Sequence, residues 1–357
     1  MKRLIFASIT VLLMLAFVAP AWALPFPVTD VRALGMGGAF VAAGEGIGAV
    51  QYNPALLAKN STAGVVVPEL VVRLEDSTGL IDTLDELENA YSQGDTTTVI
   101  ALLDGLDTGE AVAINAYAGI GAGFGLFGIS GGVTYGDLVY GVAYPDNIDT
   151  TPGGLVDPDS NTLEFRGIES RQLIFTGAGT MGNLKVGANM RSIKATTYTD
   201  SESLFTNPDI GPGDVTTGIE SDETAVAWDV GAMFNLTPIF DVAVVARDLG
   251  GTDLGVIELD PRYRIGAALH LPAITVAGDY DISEDDSGGT NYQEWALGAE
   301  FDVWAIALRA GLSNNSGLSG APTLIHLGVG LGFLDLGAAY AEDGDYYMAG
   351  VNLSLGF

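Results

Sequence analysis

The residues in this chain that could carry chemistry are charged or ionisable side chains that alternate with apolar ones. Opposite charges on neighbouring strands of a sheet pair with each other. Such a set serves either a polar conduit or ligand site, or a structural lattice of ion pairs. The members of the set are Arg262, Arg264, Asp279, Asp281, Arg309 and His326.

The spacing of the first four residues predicts how they pair. If the chain turns at Leu271-Pro272, Arg264 lies opposite Asp279 and Arg262 lies opposite Asp281. Ion pairs in a wet interior are individually weak. We expect all four side chains to face the inside of a barrel.

Neither histidine belongs to a recognisable catalytic set. His270 stands alone, and His326 is expected beside Arg309. The chain has no Ser/His/Asp arrangement, no HExxH motif and no metal-ligand spacing. The sequence therefore predicts neither an enzyme nor a metal site.

Two other patterns could suggest a cofactor or a cation. The acidic stretches "SEDDSGG" and "AEDGDYY" do not have the twelve-residue spacing of a calcium loop, which favours solvated loop charge. The glycines of "GMGG" and "GEGIG" lack the βαβ context of a dinucleotide-binding loop. We therefore expect no cofactor.

The composition narrows the class of protein. Among 357 residues there are 14 Lys and Arg, 45 Asp and Glu, and a net charge of −31, which leaves no basic field for nucleic acid. Cysteine is absent, so there is no disulfide framework. A hydrophobic fraction of 48% rules out a disordered chain, and the 49 glycines are compatible with all-β structure.

Strict alternation of apolar and polar or small residues decides the fold. In the last segment, "YYMAGVNLSLGF", the residues Tyr347, Val351 and Leu355 share one face, while Tyr346 and Asn352 share the other. A soluble β-sandwich also alternates. Segments of about 9–11 residues suit a membrane-crossing strand better. Tight turns that alternate with long polar loops are typical of an outer-membrane barrel.

The sequence predicts an all-β transmembrane barrel of about 14 antiparallel strands with both termini on the periplasmic side. Helical spacing over about 79–105 predicts short helices in the first extracellular loop. The predicted strands are 62–75, 111–129, 132–145, 163–180, 184–199, 222–236, 239–249, 259–271, 273–283, 291–302, 303–313, 322–333, 334–341 and 345–357.

The first 23 residues have the pattern of a secretory signal peptide. A basic start precedes an apolar run and Ala21-Trp22-Ala23, which predicts cleavage after Ala23. The predicted organisation is therefore a signal peptide (1–23), an N-terminal hatch (24–61) and a barrel (62–357). The terminal Phe357 is expected to be read by the barrel-insertion machinery.

The hatch is rich in glycine and almost free of charge. A barrel of this size has a lumen that needs water or a plug, and we expect this segment to fill it. Asn53-Pro54-Ala55 should form a fixed corner, because proline restricts its own φ and the preceding residue. Gly35, Gly37 and Gly38 should adopt conformations that other residues avoid.

These motifs carry a family resemblance. "RALGMGGAFVA", which begins at Arg32, followed by "YNPALLA", resembles the hatch of the FadL-type long-chain fatty-acid transport barrels. The nearer likeness is to a related group labelled TraF-like conjugal transfer protein. The resemblance implies a fourteen-stranded barrel in a Gram-negative outer membrane, plugged by its N-terminus, that takes up hydrophobic molecules.

Two functions follow from these expectations. The first is a passive outer-membrane channel for hydrophobic small molecules such as fatty acids or hydrocarbons. The alternative is a non-transporting barrel that acts as an assembly or secretion-system partner, which the long acidic loops favour. In both cases the expected surroundings are outer-membrane lipid.

Overall fold

The structure is a computed structural model of the 357-residue chain. The predicted signal peptide and Phe357 lie outside the residues that it describes, so both remain predictions. The described residues are 28–59, 63–76, 79–106, 112–151, 160–206, 216, 219–254, 258–259, 261–283, 293–317, 321–341 and 346–356.

Antiparallel strands dominate the chain. In chain order they are β1 (Gly64–Glu75), β2 (Val112–Leu126), β3 (Ile129–Asn147), β4 (Thr162–Met181), β5 (Leu184–Ser203), β6 (Ile219–Thr237), β7 (Phe240–Leu249), β8 (Thr252–Asp253), β9 (Glu258–Leu259), β10 (Arg262–Leu271), β11 (Ile274–Asp281), β12 (Glu294–Val303), β13 (Ile306–Asn315), β14 (Leu324–Leu331), β15 (Leu334–Ala341) and β16 (Tyr346–Gly356).

Fourteen of these strands form one closed barrel, as the sequence predicts. Each barrel strand pairs with its neighbours in the chain, and β16 returns to pair with β1. The short strands β8 and β9 pair only with each other. The sequence predicts that the next barrel strand begins at Leu259 of β9, but that strand starts later, at Arg262. None of the helices in the described part of the chain is both long and apolar enough to cross a bilayer.

The two ends of the barrel differ. Six tight turns join β2 to β3, β4 to β5, β6 to β7, β10 to β11, β12 to β13 and β14 to β15, and they form what we call the turn end. The longer connections lie at the opposite end, the loop end. This alternation is the one that the sequence predicts.

The alternating pattern separates the two faces of the barrel wall. On β16, the apolar side chains of Tyr347, Leu353 and Leu355 are exposed on the outside, whereas Tyr346 and Asn352 are buried on the inside. Period-two strands place successive side chains on opposite faces. The outside is therefore an apolar surface suited to lipid.

Two helices follow β1 where the sequence predicts them. They are α2 (Leu80–Gln93) and α3 (Thr96–Gly105), numbered after the N-terminal helix α1 (Val31–Gly35). Leu84, Leu87 and Leu103 point into a buried cluster with Phe165 of β4 and Phe205. The helices thus pack over the loop end of the barrel, above β2 to β5.

The predicted pairing register between β10 and β11 is wrong by two residues. The turn is centred on Pro272-Ala273, so Arg264 lies opposite Asp281 and Asp279 lies opposite Gly266. Ala273 has a φ of 64°, a conformation that usually calls for glycine or asparagine, so the residue types do not specify on which pair of residues the chain turns.

Arg309 and His326 lie on the neighbouring strands β13 and β14, as expected. Arg309 lies opposite Gly328 and His326 lies opposite Gly311, so these two residues occupy diagonal rather than directly opposite positions on neighbouring strands. The predicted turns at 302–303 and 334–335 also move, to Trp304-Ala305 and Gly332-Phe333. Trp304 has a φ of 61°, which is uncommon for a bulky residue.

The sidedness of the barrel in the membrane is a prediction that epitope tags test. We expect tags in the loop between β3 and β4, or in the loop between β5 and β6, to bind antibody on intact cells. Both loops lie at the loop end, which we predict to be extracellular. Binding only after permeabilisation would reverse the orientation.

Candidate functional site: the lumen and its N-terminal segment

The N-terminal segment, residues 28–59, lies inside the barrel. It contains α1 (Val31–Gly35) and two 3-10 turns, Gly48–Gln51 and Pro54–Lys59. Its helix α1 contacts β1 and β13 to β16, and the second 3-10 turn contacts β2 to β6. Leu34, Phe40 and Leu56 are fully buried. An apolar segment thus fills space that water would otherwise occupy.

Glycines in the wall let this segment approach closely. An added Cβ would clash with backbone atoms of Met36 at Gly298, and with those of Met36 and Gly37 at Gly311. These two wall glycines lie opposite each other on neighbouring strands. The backbone of the segment therefore packs directly against the backbone of the wall.

The same arrangement recurs around the barrel, and we call it the glycine belt. It includes the cross-strand neighbours Gly187 and Gly231, and the run Gly328, Gly337 and Gly350. An added Cβ at Gly337 would lie 3.0 Å from the carbonyl oxygen of Val31. Glycines of β2 also contact the segment, because Gly121 and Gly123 face Ile47. Close packing of the segment against the wall therefore recurs on several sides of the lumen.

Arg32, the first residue of the predicted hatch motif, joins the segment to the wall. Its Nη2 donates to both carboxylate oxygens of Glu300, at 3.0 and 3.2 Å. Arg309 donates to the same Glu300 at 2.5 Å and to Asp335 at 2.6 Å. Two arginines and two carboxylates therefore form one network across the interface.

The three motif glycines differ in what they need. Gly37 and Gly38 have φ angles of 68° and 87°, in the region that favours glycine. Gly35 is helical, and its requirement is space, since an added Cβ would lie 3.0 Å from Cα of Gly328. The expectation of an unusual backbone therefore fails at Gly35.

Asn53-Pro54-Ala55 forms a compact corner. Nδ2 of Asn53 donates to the carbonyl of Val41 at 3.0 Å, and its Oδ1 accepts from the backbone N–H of Ala55 at 3.0 Å. The asparagine is fully buried, and it also reaches the carbonyl of Ala232 in β6 at 3.5 Å. Its amide thus ties two parts of the segment to each other and to the wall.

Asp279 of β11 holds the middle of the segment. Its Oδ2 accepts from the backbone N–H groups of Phe40 at 2.7 Å and Val41 at 2.8 Å. Sequence reasoning placed Asp279 in the lumen and paired it with Arg264. The structure pairs it with backbone amides instead, a role that no local motif signals.

Tyr52 and Asp30 organise the start of the segment, and sequence reasoning missed both. The Tyr52 hydroxyl accepts from the N–H of Thr29 at 3.1 Å, and Asp30 caps α1 by accepting from the N–H of Arg32. Burial raises the pKa of Asp30, which the nearby Arg32 opposes. Burial likewise raises the pKa of the Tyr52 phenol.

Nearer the loop end, the lumen carries a second charged group. Arg264 donates to Asp281 at 2.5 and 3.0 Å and to Glu294 at 2.8 Å, while Arg262 lies 3.5 Å from Asp281. Arg262, Arg264 and Asp281 are almost fully buried, and Glu294 is half-buried. On the adjoining strands β5 to β7, Arg191 bonds Asp229 and Asp248 in the same way.

His326 contacts the segment rather than Arg309. Its Nδ1 lies 2.9 Å from the carbonyl oxygen of Leu34, which can only accept, so Nδ1 carries the proton. Its Nε2 then accepts from the Ser313 hydroxyl at 2.9 Å. Among the described residues, no group of three or more His, Cys, Asp or Glu side chains is arranged to hold a metal ion.

An apolar cavity of about 560 Å³ indents the wall across β6, β7 and β10 to β12. Most of its lining side chains alternate outwards, including Phe234, Ile265, Tyr280 and Leu297. Asp279 also borders it, and none of its lining residues belongs to the N-terminal segment. The cavity therefore lies on the membrane side of the wall, behind the residue that holds Phe40 and Val41.

A comparison with protein families gives one match. The family described as "F plasmid transfer operon, TraF, protein" matches residues 50–281, which is more than half of the chain. The chain belongs to this family. The matched region of this TraF-family barrel includes Asn53-Pro54-Ala55, Asp279 and the strands from β1 to β11, but not Arg32. A search of curated protein sequences found no significant match.

The fold of the TraF-family barrel is that of FadL-type channels. It resembles the CymD monoaromatic hydrocarbon channel, with a TM-score of 0.59 and 14% identity, over 93% of this chain and 98% of that one. It also resembles the toluene transporter TbuX of Ralstonia pickettii, with a TM-score of 0.57 and 12% identity, over 91% and 97%. It resembles a FadL homologue of Pseudomonas aeruginosa as well, with a TM-score of 0.51 and 12% identity, over 94% of this chain and 97% of that one.

Proposed function

We propose that this chain is an outer-membrane channel for the passive uptake of hydrophobic small molecules of the fatty-acid or hydrocarbon class. The observation that carries the proposal is the lumen-filling segment, held on the wall by Asp279, with an apolar cavity on the other side of that wall. The full-length fold likeness to barrels described as hydrocarbon channels supports it.

In this proposal the N-terminal segment is the plug. The N-terminal segment, packed against the glycine belt, blocks the path of a solute along the barrel axis. A solute can therefore pass only when the segment moves. The contacts at Asn53 and Asp279 are hydrogen bonds, and Arg32 forms one ion pair with the wall. A neutral hydrogen bond contributes about 1 kcal/mol in net terms and one to a charged group about 1.5–3 kcal/mol, so local release of one or two of these contacts is energetically accessible.

The plug is testable through its corner. Replacing Asn53 and Pro54 together by alanine should enlarge the conductance in planar bilayers and speed cellular uptake of a labelled fatty acid. The variant loses the amide bonds to Val41 and Ala55 and the fixed φ of proline. Cells should also become more sensitive to bulky hydrophobic antibiotics.

A matched control replaces Thr237 and Pro238, a polar residue and a proline in the β6–β7 turn, by alanine. Both residues are exposed at the turn end. It should leave conductance and uptake unchanged. Wild-type values for both double variants would mean that the plug is only structural.

The alternative function remains that of an assembly or secretion-system partner. The specific observation in its favour is the close packing of the segment against the glycine belt. If cells that contain the wild-type barrel take up no more fatty acid or toluene than cells without it, the partner function gains. In either case we propose an outer-membrane location after export.

A further inference from the structure

The six tight turns contain no charged residue, although 17% of the chain is charged. Hydrophobic side chains occupy most of their positions, and the remainder are glycine, proline, asparagine and threonine. The turns cover residues 126–129, 181–184, 236–240, 271–274, 303–306 and 331–334. The loop end is different, because α2 alone carries four acidic residues.

The apolar side chains of these turns project outwards. Phe127 is 95% exposed and Trp304 is completely exposed, while Phe333 is 60% exposed. Phe127 and Trp304 also have positive φ angles of 54° and 61°, which cost energy for large side chains. A turn facing water would gain from Asn-Gly at such positions. These bulky tips therefore indicate an apolar environment.

Charged side chains next to the turns face the inside of the barrel. Asp241 follows the β6–β7 turn and Asp335 follows the β14–β15 turn, and both are buried on the inner side of the wall. Lys185, which follows the β4–β5 turn, donates to the Oδ1 of Asn235 at 2.5 Å. Asp302, which precedes the β12–β13 turn, is exposed, but it shares the inner face of β12 with the buried Glu300. The outer side of the turn end is thus left without charge.

The lipid-facing apolar surface of the strands is shorter than the apolar band of an outer-membrane barrel unless the turns belong to it. On β11, the large apolar side chains that face lipid run from Ile274, at the turn, to Tyr280. Six residues at about 3.3 Å each, tilted by about 45°, rise only about 14 Å. An outer-membrane barrel carries an apolar band about 25 Å tall. On this side of the barrel the band must therefore extend to the turns themselves.

We propose that the six tight turns are immersed in the lipid at the boundary between headgroups and acyl chains, in the leaflet at the turn end. The surface they form is continuous with the lipid-facing wall, and its Trp and Phe tips suit that boundary. This proposal rests on the proposed membrane location of the barrel. It adds that the turn end does not project into the aqueous periplasm.

Single cysteines test the proposal, because the natural chain has none. Phe127→Cys, Trp304→Cys and Phe333→Cys variants are labelled with the environment-sensitive dye NBD and reconstituted into phosphatidylcholine vesicles. We expect blue-shifted emission and strong quenching by a nitroxide placed just below the lipid headgroup. Quenching by aqueous iodide should be several-fold weaker than at a water-exposed site.

Two control positions separate the possible outcomes. Thr97→Cys in α3 is exposed at the loop end and should respond to iodide, whereas Leu308→Cys in the outer wall should respond to lipid. If Leu308 responds to lipid but the turns respond to iodide, the immersion is wrong and a periplasmic protein becomes the better partner. If Leu308 also responds to iodide, the barrel is not in the membrane, and both proposals fail.

Discussion

Replacing Gly311 by alanine is expected to unseat the N-terminal segment and destabilise the barrel. The added Cβ would clash with the backbone of Met36 and Gly37, and neither neighbour is a flexible side chain that can move aside. Overpacking typically costs about 1–3 kcal/mol. Because the obstacle is backbone, we expect a cost at the upper end of this range.

The measurement is the temperature at which heat-modifiable mobility on a gel is lost, together with conductance in planar bilayers. Gly311→Ala should lower this temperature and raise the conductance. The matched control is Gly177→Ala on β4, where an added Cβ meets nothing within 4 Å. Equal behaviour of the two variants would contradict the close packing of wall and segment.

Replacing Asp279 by alanine should release Phe40 and Val41. Their two amides would lose their acceptor inside an apolar cluster, and an unsatisfied buried donor costs about 1–3 kcal/mol. Hydrogen exchange of these two amides should therefore accelerate strongly. Conductance should rise as well, because the wall contact beside the apolar cavity is gone.

Two further variants serve as a comparison and a control for this result. Asp279→Asn keeps an oxygen that can accept and should retain much of the protection. Asp302→Ala removes an exposed carboxylate near the turn end and should change nothing. Unchanged exchange at Phe40 and Val41 in Asp279→Ala would show that the carboxylate does not hold the segment.

The barrel was predictable because its signal is repeated in every strand. A lipid-facing residue such as Leu355 and a lumen-facing one such as Asn352 obey the same period of two, so fourteen strands could be counted. The helices of the first loop were equally clear, because Leu84 and Leu87 follow helical spacing.

The pairing of lumen residues was less predictable. It depends on where each hairpin turns, and Ala273 and Trp304 adopt conformations that their residue types do not signal. The contact of Asp279 with Phe40 spans 239 positions, and no local pattern specifies it. A signal for the glycine belt was present, since Gly311, Gly328 and Gly350 alternate with apolar residues in their strands.

The contact between α1 and the last strand has a consequence for the timing of folding. Val31 lies near the start of the chain, and its Cγ2 would be 3.0 Å from a Cβ at Gly350, near the end. The same helix touches β1, the strand with which β16 closes the barrel. Synthesis must therefore be complete before the interior can assemble, and the chain needs protection from aggregation throughout its transit to the membrane.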